Sequence, residues 1–402
     1  MLELISLEES NHILSRYGQT LGVEHVLLRD SLRRVLAEDL TAQTNIPPFD
    51  RSAVDGYGIS SKDTGLNQFK IIGETPAGYT YEDLINPGNG LRIFTGAPVA
   101  KGIVAVIRQE DVCVQGEQIV IKKPWKPGDN IALRGEDVTE GEPLLSKGTV
   151  ITPAYIGLLA AQGISKVPVF RQPKVGVLST GDELVALGEP LTPGKIFNSN
   201  LPSLIALVED LGGEALDLGI VSDSLEKTSL AIENALKKVN LLVTTGGVSV
   251  GDYDRLKEAI LHMGGEILFW KVSIRPGTPM VIGLYKDQLI IGLSGNPAAA
   301  MIGAELFLAP LIRMILGHRE ANLKRCYARV RGDIRKPAST RRMIRVQIVE
   351  TSEGIIAKIS PKQKSGVLKS LAEANGVIDL APGAVLNDGD GCQVILFNRW
   401  SQ

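Results

Sequence analysis

Between Leu241 and Asp254 the chain reads LLVTTGGVSVGDYD. An apolar β-type run stops at two threonines and two glycines, then meets the carboxylates Asp252 and Asp254. Gly246, Gly247 and Gly251 lack side chains, so backbone N–H groups there can close on an anion. Carboxylates beside an anion site make chemical sense when a divalent cation bridges them to a phosphate. The stretch suggests a metal-assisted site for a phosphate or nucleotide-like ligand. The plainer role is a strand-to-helix turn with Asp252 or Asp254 as helix N-cap. Similar loops recur at Thr180-Gly181-Asp182-Glu183, at Asp223, at Arg275-Pro276-Gly277-Thr278 and at Ser294-Gly295-Asn296-Pro297. Asp223 is followed by Glu226 at capping-box spacing, and Asn296 before Pro297 reads first as a structural cap. Lys271 sits in an apolar run, where an unpaired ammonium is costly to bury; aim at an anion is the favoured reading over an exposed face. Met263, Met280 and Trp270 read as core. No Walker A lysine, GxSxG elbow or CxxC pair is present.

The elements that must position these loops are clearest after Lys174. KVGVLST, EALDLGIV, NLLVTT and EILFWKVSI read as strands, alternating with helical patterns at 201–211, 224–239 and 254–263. PMVIGLY and QLIIGL follow, joined by a polar turn, and Asn296-Pro297 opens a long apolar helix ending near Gly317. This alternation predicts a doubly wound parallel sheet, whose ligands bind outside the carboxyl ends of the strands. All five polar or glycine loops leave that edge. Upstream, Ser6 to Glu9 has capping-box spacing for a helix to about Tyr17, Ser31 starts a second, and Thr152-Pro153 a third. Residues 45–140 form a β-rich insertion, with the segments 1–44 and 141–172 as a discontinuous helical linker domain around it. The α/β domain spans 173–322, and the β runs of 323–402 make a small barrel or sandwich.

The chain has 402 residues, with 43 Lys and Arg against 45 Asp and Glu. That balance gives no basic field and argues against a nucleic-acid binder. The acidic start, MLELISLEES, lacks the pattern of a secretory signal. The apolar stretch 297–312 is interrupted by Glu305 and too short to span a bilayer. Cys113, Cys326 and Cys392 are far apart and read as buried thiols of a cytoplasmic protein. The four histidines are equally scattered, so no zinc site is visible.

Several longer motifs then fall in one order: PPFDRSAVDGYGI at 47–59, FTGAP at 94–98, RGEDV at 134–138, STGDEL at 179–184, TTGGVSVGDYD, IRPGTP, SGNPAA and SGVLKSLAEANG. Across essentially the whole chain the sequence resembles the molybdopterin molybdenumtransferases, the MoeA type, similar to the E-domain of gephyrin. The resemblance implies a homodimer whose α/β molybdopterin-binding domain is completed by the partner's insertion. It implies insertion of molybdenum from molybdate into adenylylated molybdopterin, with Mg²⁺-dependent release of AMP. By motif position, Asp55, Thr95, Asp137, Glu183, Asp223, Asp254, Lys271 and Arg275 fall on functional positions. Glu183, Asp223 and Asp254 are the magnesium-ligand candidates, while Lys271 and Arg275 could hold molybdate. Thr180, Gly181, Gly246, Gly247, Ser249, Gly251, Pro276, Gly277, Gly295 and Asn296 line the implied pterin-nucleotide cleft. Arg275 and Thr278 stand where the family usually has lysines, and Arg51 and Ala299 also depart from its pattern. Arginine keeps the charge as a planar fork; threonine removes one.

Alternative readings are a non-catalytic molybdopterin-binding scaffold, a molybdopterin adenylyltransferase and a tungsten-inserting variant. A scaffold needs neither Glu183 nor Asp254, and an adenylyltransferase needs neither insertion nor β domain. Molybdopterin adenylyltransferase and downstream molybdoenzymes are the conceivable protein partners; no nucleic acid or membrane is expected.

Overall fold

The computed structural model describes residues 2–248 and 255–397; Ser249, Gly251, Asp252 and Asp254 lie outside them. Strand β1 (Leu2–Ile5) leads into helix α1 (Leu7–Ser15), where the Ser6 hydroxyl accepts the Glu9 N–H at 3.0 Å. The helix expected from Ser31 is absent. Leu28–Asp30 make one 3₁₀ turn, the Ser31 hydroxyl donates back to the Leu28 carbonyl, and Val35 and Leu36 bridge to Val150 and Val169. Val35, Leu36 and Ala37 are all buried in succession, which one helix face cannot achieve but packing between two chain segments can.

The rest of the segments flanking the insertion is also more β than expected. Strand β2 (Val23–Leu27) pairs antiparallel with Lys166–Phe170, and besides α1 the regular α-helix there is α2 (Pro153–Ala161), started by the Thr152 cap and Pro153. The insertion carries six strands, at 56–59, 68–75, 89–93, 105–108, 112–115 and 118–121, in one sheet with Phe69, Ile107 and Trp125 in its core.

In the α/β unit we label β3 (Lys174–Thr180), α3 (Asn200–Asp210), β4 (Glu214–Val221), α4 (Leu225–Leu236), β5 (Leu241–Thr245), α5 (Arg255–His262), β6 (Glu266–Val272), β7 (Val281–Tyr285) and β8 (Gln288–Leu293). The sheet order is β1-β6-β7-β8-β5-β3-β4. All run parallel except β7, antiparallel to both neighbours. The cause is local: Lys286 and Asp287 both take positive φ, 49° and 63°, the conformation of a two-residue hairpin turn. Apolar faces cover both sides. One layer holds α1, α3 and the long C-terminal helix, the other α4 and α5. That long helix spans Pro297–Ile315, with a π-helical segment at Ala304–Leu308 in its middle. It is apolar enough to pass for a membrane span, yet nearly all of it is buried inside the protein.

After a short strand, Ile274–Arg275, and the long helix, five strands at 325–331, 341–351, 354–359, 376–380 and 391–396 close on themselves as a β-barrel. Ile274–Arg275 attaches to its outside through Arg341 and Arg342. Arg341 also bonds Glu8 of α1 and Asp379 of the barrel at 2.5–2.9 Å, so one guanidinium links the two units. Of the three thiols, Cys113 is exposed, contrary to expectation. Burial pushes the Cys392 thiol up to about 11.

Candidate functional site

The parallel strands bring Thr180, Val221, Thr245 and Leu293 to one sheet edge. Gly246 there has φ 94°, and a Cβ would stand 2.2 Å from the Thr180 carbonyl. Only glycine permits that approach of strand end to strand end. Beside it lies a narrow slot of about 50 Å³ lined by Thr180, Glu183, Asn198, Asn200, Gly246 and Gly295, among others. Sequence reading did not single out Asn198 and Asn200, although FNSN ahead of an apolar helix was the available signal.

Acidic groups rim this edge. Glu183 is exposed, and its carboxylate lies against Gly181, where a Cβ would meet Oε2 at 2.5 Å. The backbone N–H of Asp182 donates to Asp223 Oδ2, and that of Asp223 to Asp182 Oδ1, both at 3.4 Å. Asp223 is not the helix cap its spacing suggested: Ser224 takes that role, accepting from the Lys227 N–H. Among the described residues no ion pair engages Glu183 or Asp223, and no group of three His, Cys, Asp or Glu has metal-site geometry. The third expected ligand, Asp254, lies outside the described residues. Two carboxylates without ion pairs on adjoining strand-end loops fit a hydrated Mg²⁺ that takes its remaining ligands from water and substrate, rather than a closed cage.

On the other side of the Ser294–Pro297 turn a cleft of about 1260 Å³ separates the α/β unit from the barrel. Arg275, Arg342, Lys362 and Lys364 line it with Ser294 and Asn296, and no Asp or Glu among the described residues does. Pro276, Gly277 and Thr278 also face it, with the Thr278 hydroxyl donating to the Ile274 carbonyl within the turn. Asn296 makes no side-chain cap bond, so the expected capping role is not realised. The barrel wall of the cleft is braced by Arg345, which is fully buried. Its Nη2 donates to the Lys362 and Lys364 carbonyls at 2.9 and 3.0 Å, and its Nε to Ser370 Oγ at 3.1 Å. The Ser365 carbonyl accepts the Ala298 N–H at 3.0 Å, tying this loop to the long helix.

Lys271 is not in this cleft. Its ammonium lies 3.2 Å from Glu3 Oε1 and 3.6 Å from the Trp270 ring centroid, so the structure gives it a carboxylate and a π face in place of the expected anion. Asp55, Thr95 and Asp137 stand in the insertion. The Thr95 N–H and hydroxyl both donate to Asp55 Oδ1 at 2.7 Å, holding that carboxyl below its ordinary value. The Asp137 N–H donates to the Ile46 carbonyl. Among the described residues, no hydrogen bond or cavity joins these three to Glu183 or Asp223 within one chain.

The architecture defines a multidomain α/β protein with an acidic strand edge beside a basic interdomain cleft. Residues 5–163 match the MoeA N-terminal region (domain I and II), 176–314 the probable molybdopterin binding domain, and 327–397 the MoeA C-terminal region (domain IV). A molybdopterin molybdenumtransferase of Bacillus subtilis is 38% identical, covering 98% of this chain and 94% of its own length. One from Staphylococcus aureus is 36% identical over 94% and 92%. The crystal structure of a molybdopterin biosynthesis MoeA protein from Pyrococcus superposes with a TM-score of 0.86 at 31% identity, covering 98% of this chain and 99% of its own. The chain belongs to the molybdopterin molybdenumtransferase (MoeA) family.

Proposed function

We propose that this chain inserts molybdenum from molybdate into molybdopterin presented in adenylylated form, releasing AMP. The observation that carries the reading is the segregation of charge about one turn. Gly295 and Pro297 border the acidic-rimmed slot, while Ser294 and Asn296 border the basic cleft. The substrate's diphosphate and the oxyanion repel one another, so each needs its own screen. Glu183 and Asp223 would hold Mg²⁺, with Asp254 as the third ligand. When bound, Mg²⁺ would neutralise the phosphates and polarise the bond to AMP. Arg275, Arg342, Lys362 and Lys364 would hold the oxyanion through charge-assisted hydrogen bonds. Gly246 and Gly247 bring backbone within reach of the nucleotide.

The acidic rim favours this enzyme over a binding scaffold, which has no use for it. We further propose a cytoplasmic homodimer in which Asp55, Thr95 and Asp137 complete the partner's site, because among the described residues of one chain no bond or cavity joins them to Glu183 or Asp223. The direct test is AMP release from adenylylated molybdopterin on adding molybdate and Mg²⁺; absence of release from pure protein refutes the reading. For the shared site, Asp55→Asn and Glu183→Gln chains are mixed. Heterodimers with one intact site should recover activity that neither mutant has, and no recovery rejects sharing.

A further inference from the structure

Three residues that line the slot at the sheet edge each carry a buried polar atom with no partner among the described residues: Thr180 Oγ1, Asn198 Nδ2 and Asn200 Oδ1. Their residues are 3%, 3% and 8% exposed. A buried polar group left unpaired is costly, so three around one cavity call for an occupant.

The surrounding bonds fix what each atom offers. Asn200 Nδ2 donates to Thr245 Oγ1 at 2.8 Å and to the Gly295 carbonyl at 2.9 Å, so the amide is oriented and its Oδ1 is an acceptor. Asn198 Oδ1 accepts from Ser179 Oγ at 3.1 Å and from the Leu201 N–H at 3.3 Å, so its Nδ2 is a donor. The Thr180 hydroxyl can play either part. Leu184, Ile196 and Phe197 form the apolar lip, with Phe197 44% exposed. A volume of about 50 Å³ admits an edge of a ring, not the whole of it.

We infer that Asn198, Asn200 and Thr180 are specificity-determining residues that read the edge of a flat heterocycle of the substrate. That edge carries an acceptor beside a donor, while the ring face lies on Phe197. The inference rests on the proposed function, which supplies a substrate with two such rings: the pyrimidinone edge of the pterin and the amino-pyrimidine edge of adenine. Both present the required pattern. A site built this way rejects analogues that cannot complete it, since its own groups are then left unpaired.

The test measures binding of AMP and, separately, of fluorescent 2-amino-4-oxopteridine to the full-length protein. Asn198→Asp keeps the acceptor that holds Ser179 and Leu201 and turns the free donor into an acceptor. Binding of the ring that enters the slot should weaken about tenfold or more, and the other probe should be unaffected. Thr180→Val is the second variant. It removes an unpartnered hydroxyl at nearly constant shape, so Tm should hold or rise while the same probe weakens several-fold. A merely structural role would not pair those two results. Loss for the pterin alone or for AMP alone supports the inference and names the ring. Wild-type binding that both variants retain unchanged overturns it, as does filling of the slot by ordered water with both probes bound elsewhere. Wild-type protein that binds neither probe overturns the proposed function, and this inference with it.

Discussion

The slot and the cleft lie on either side of four residues, yet they are built by opposite rules. The slot is narrow and its groups are held by bonds within one domain: Asn200 is locked between Thr245 and Gly295, and Asn198 between Ser179 and Leu201. The cleft is some twenty-five times larger by volume and is walled by two units. Its charge comes from side chains of the IRPGTP turn and the barrel, braced from behind by Arg345. Fixed neutral dipoles suit recognition of a shape. Side-chain cations suit a small, symmetric oxyanion that has little shape to read. The difference teaches which wall to alter to affect which reactant.

The largest expected effect breaks the acidic side. Glu183→Gln should lower AMP release about a hundredfold or more while leaving Tm unchanged, because the residue is an exposed loop group. A rate within a few-fold of wild type, with the same Mg²⁺ dependence, would falsify its assignment. Next comes the basic side. Arg342→Ala should raise the half-saturating molybdate concentration about ten- to a hundredfold, the worth of one charge-assisted bond, with AMP binding unaltered. A shift in both affinities would erase the proposed division of labour.

A smaller change sharpens the comparison. Thr278→Lys adds a cation to the cleft but gives up the hydroxyl bond to Ile274. Molybdate half-saturation should fall by about tenfold at most, and repeating the titration with tungstate shows whether the gain depends on the metal. No change for either oxyanion would mean that the turn does not face it. The smallest effect concerns the tie that Arg341 makes between the two units. Burial alone would raise the Asp379 carboxyl, but its bonds to Arg341 outweigh that and hold it below its ordinary 3.8. The depressed value means the contribution is complete above the unfolded-state value and is lost as pH falls through the folded one. Asp379→Asn should therefore lower Tm by a few degrees near neutrality, and the gap from wild type should close toward pH 3. A gap independent of pH would point to packing instead.

The strands of the α/β unit and barrel were legible because their apolar runs are bounded by glycine and proline turns, and local pattern decides such elements. The polar edge was legible for the same reason, since loops leaving parallel strands must meet there. What escaped depends on partners far along the chain. Nothing local to Lys271 reveals Glu3 across the sheet, and nothing in LRRVLAEDL reveals that residues 149–151 and 168–169 pack on it. Nothing in the sequence marks Arg342, Lys362 and Lys364, because their meaning arises only where the barrel meets Arg275. Asn198 and Asn200 went unmarked, since a lone asparagine does not show which of its atoms is left unpaired.

The pairing of β1 with β6 carries a consequence for biosynthesis. Leu2 lies beside Phe269 and Ile5 beside Val272, so β1 is synthesised well before the neighbour it pairs with in the sheet. At about 5–20 residues per second that interval lasts roughly 13–50 s. During it, Ile5, Leu7 and Leu14 have no finished core to enter. Strand β1 thus closes the sheet as a late seam, at a loop-closure cost set by the intervening chain. Cargo fused ahead of Leu2 would be carried into that closing step, and its size should govern the yield of native protein more than its final stability.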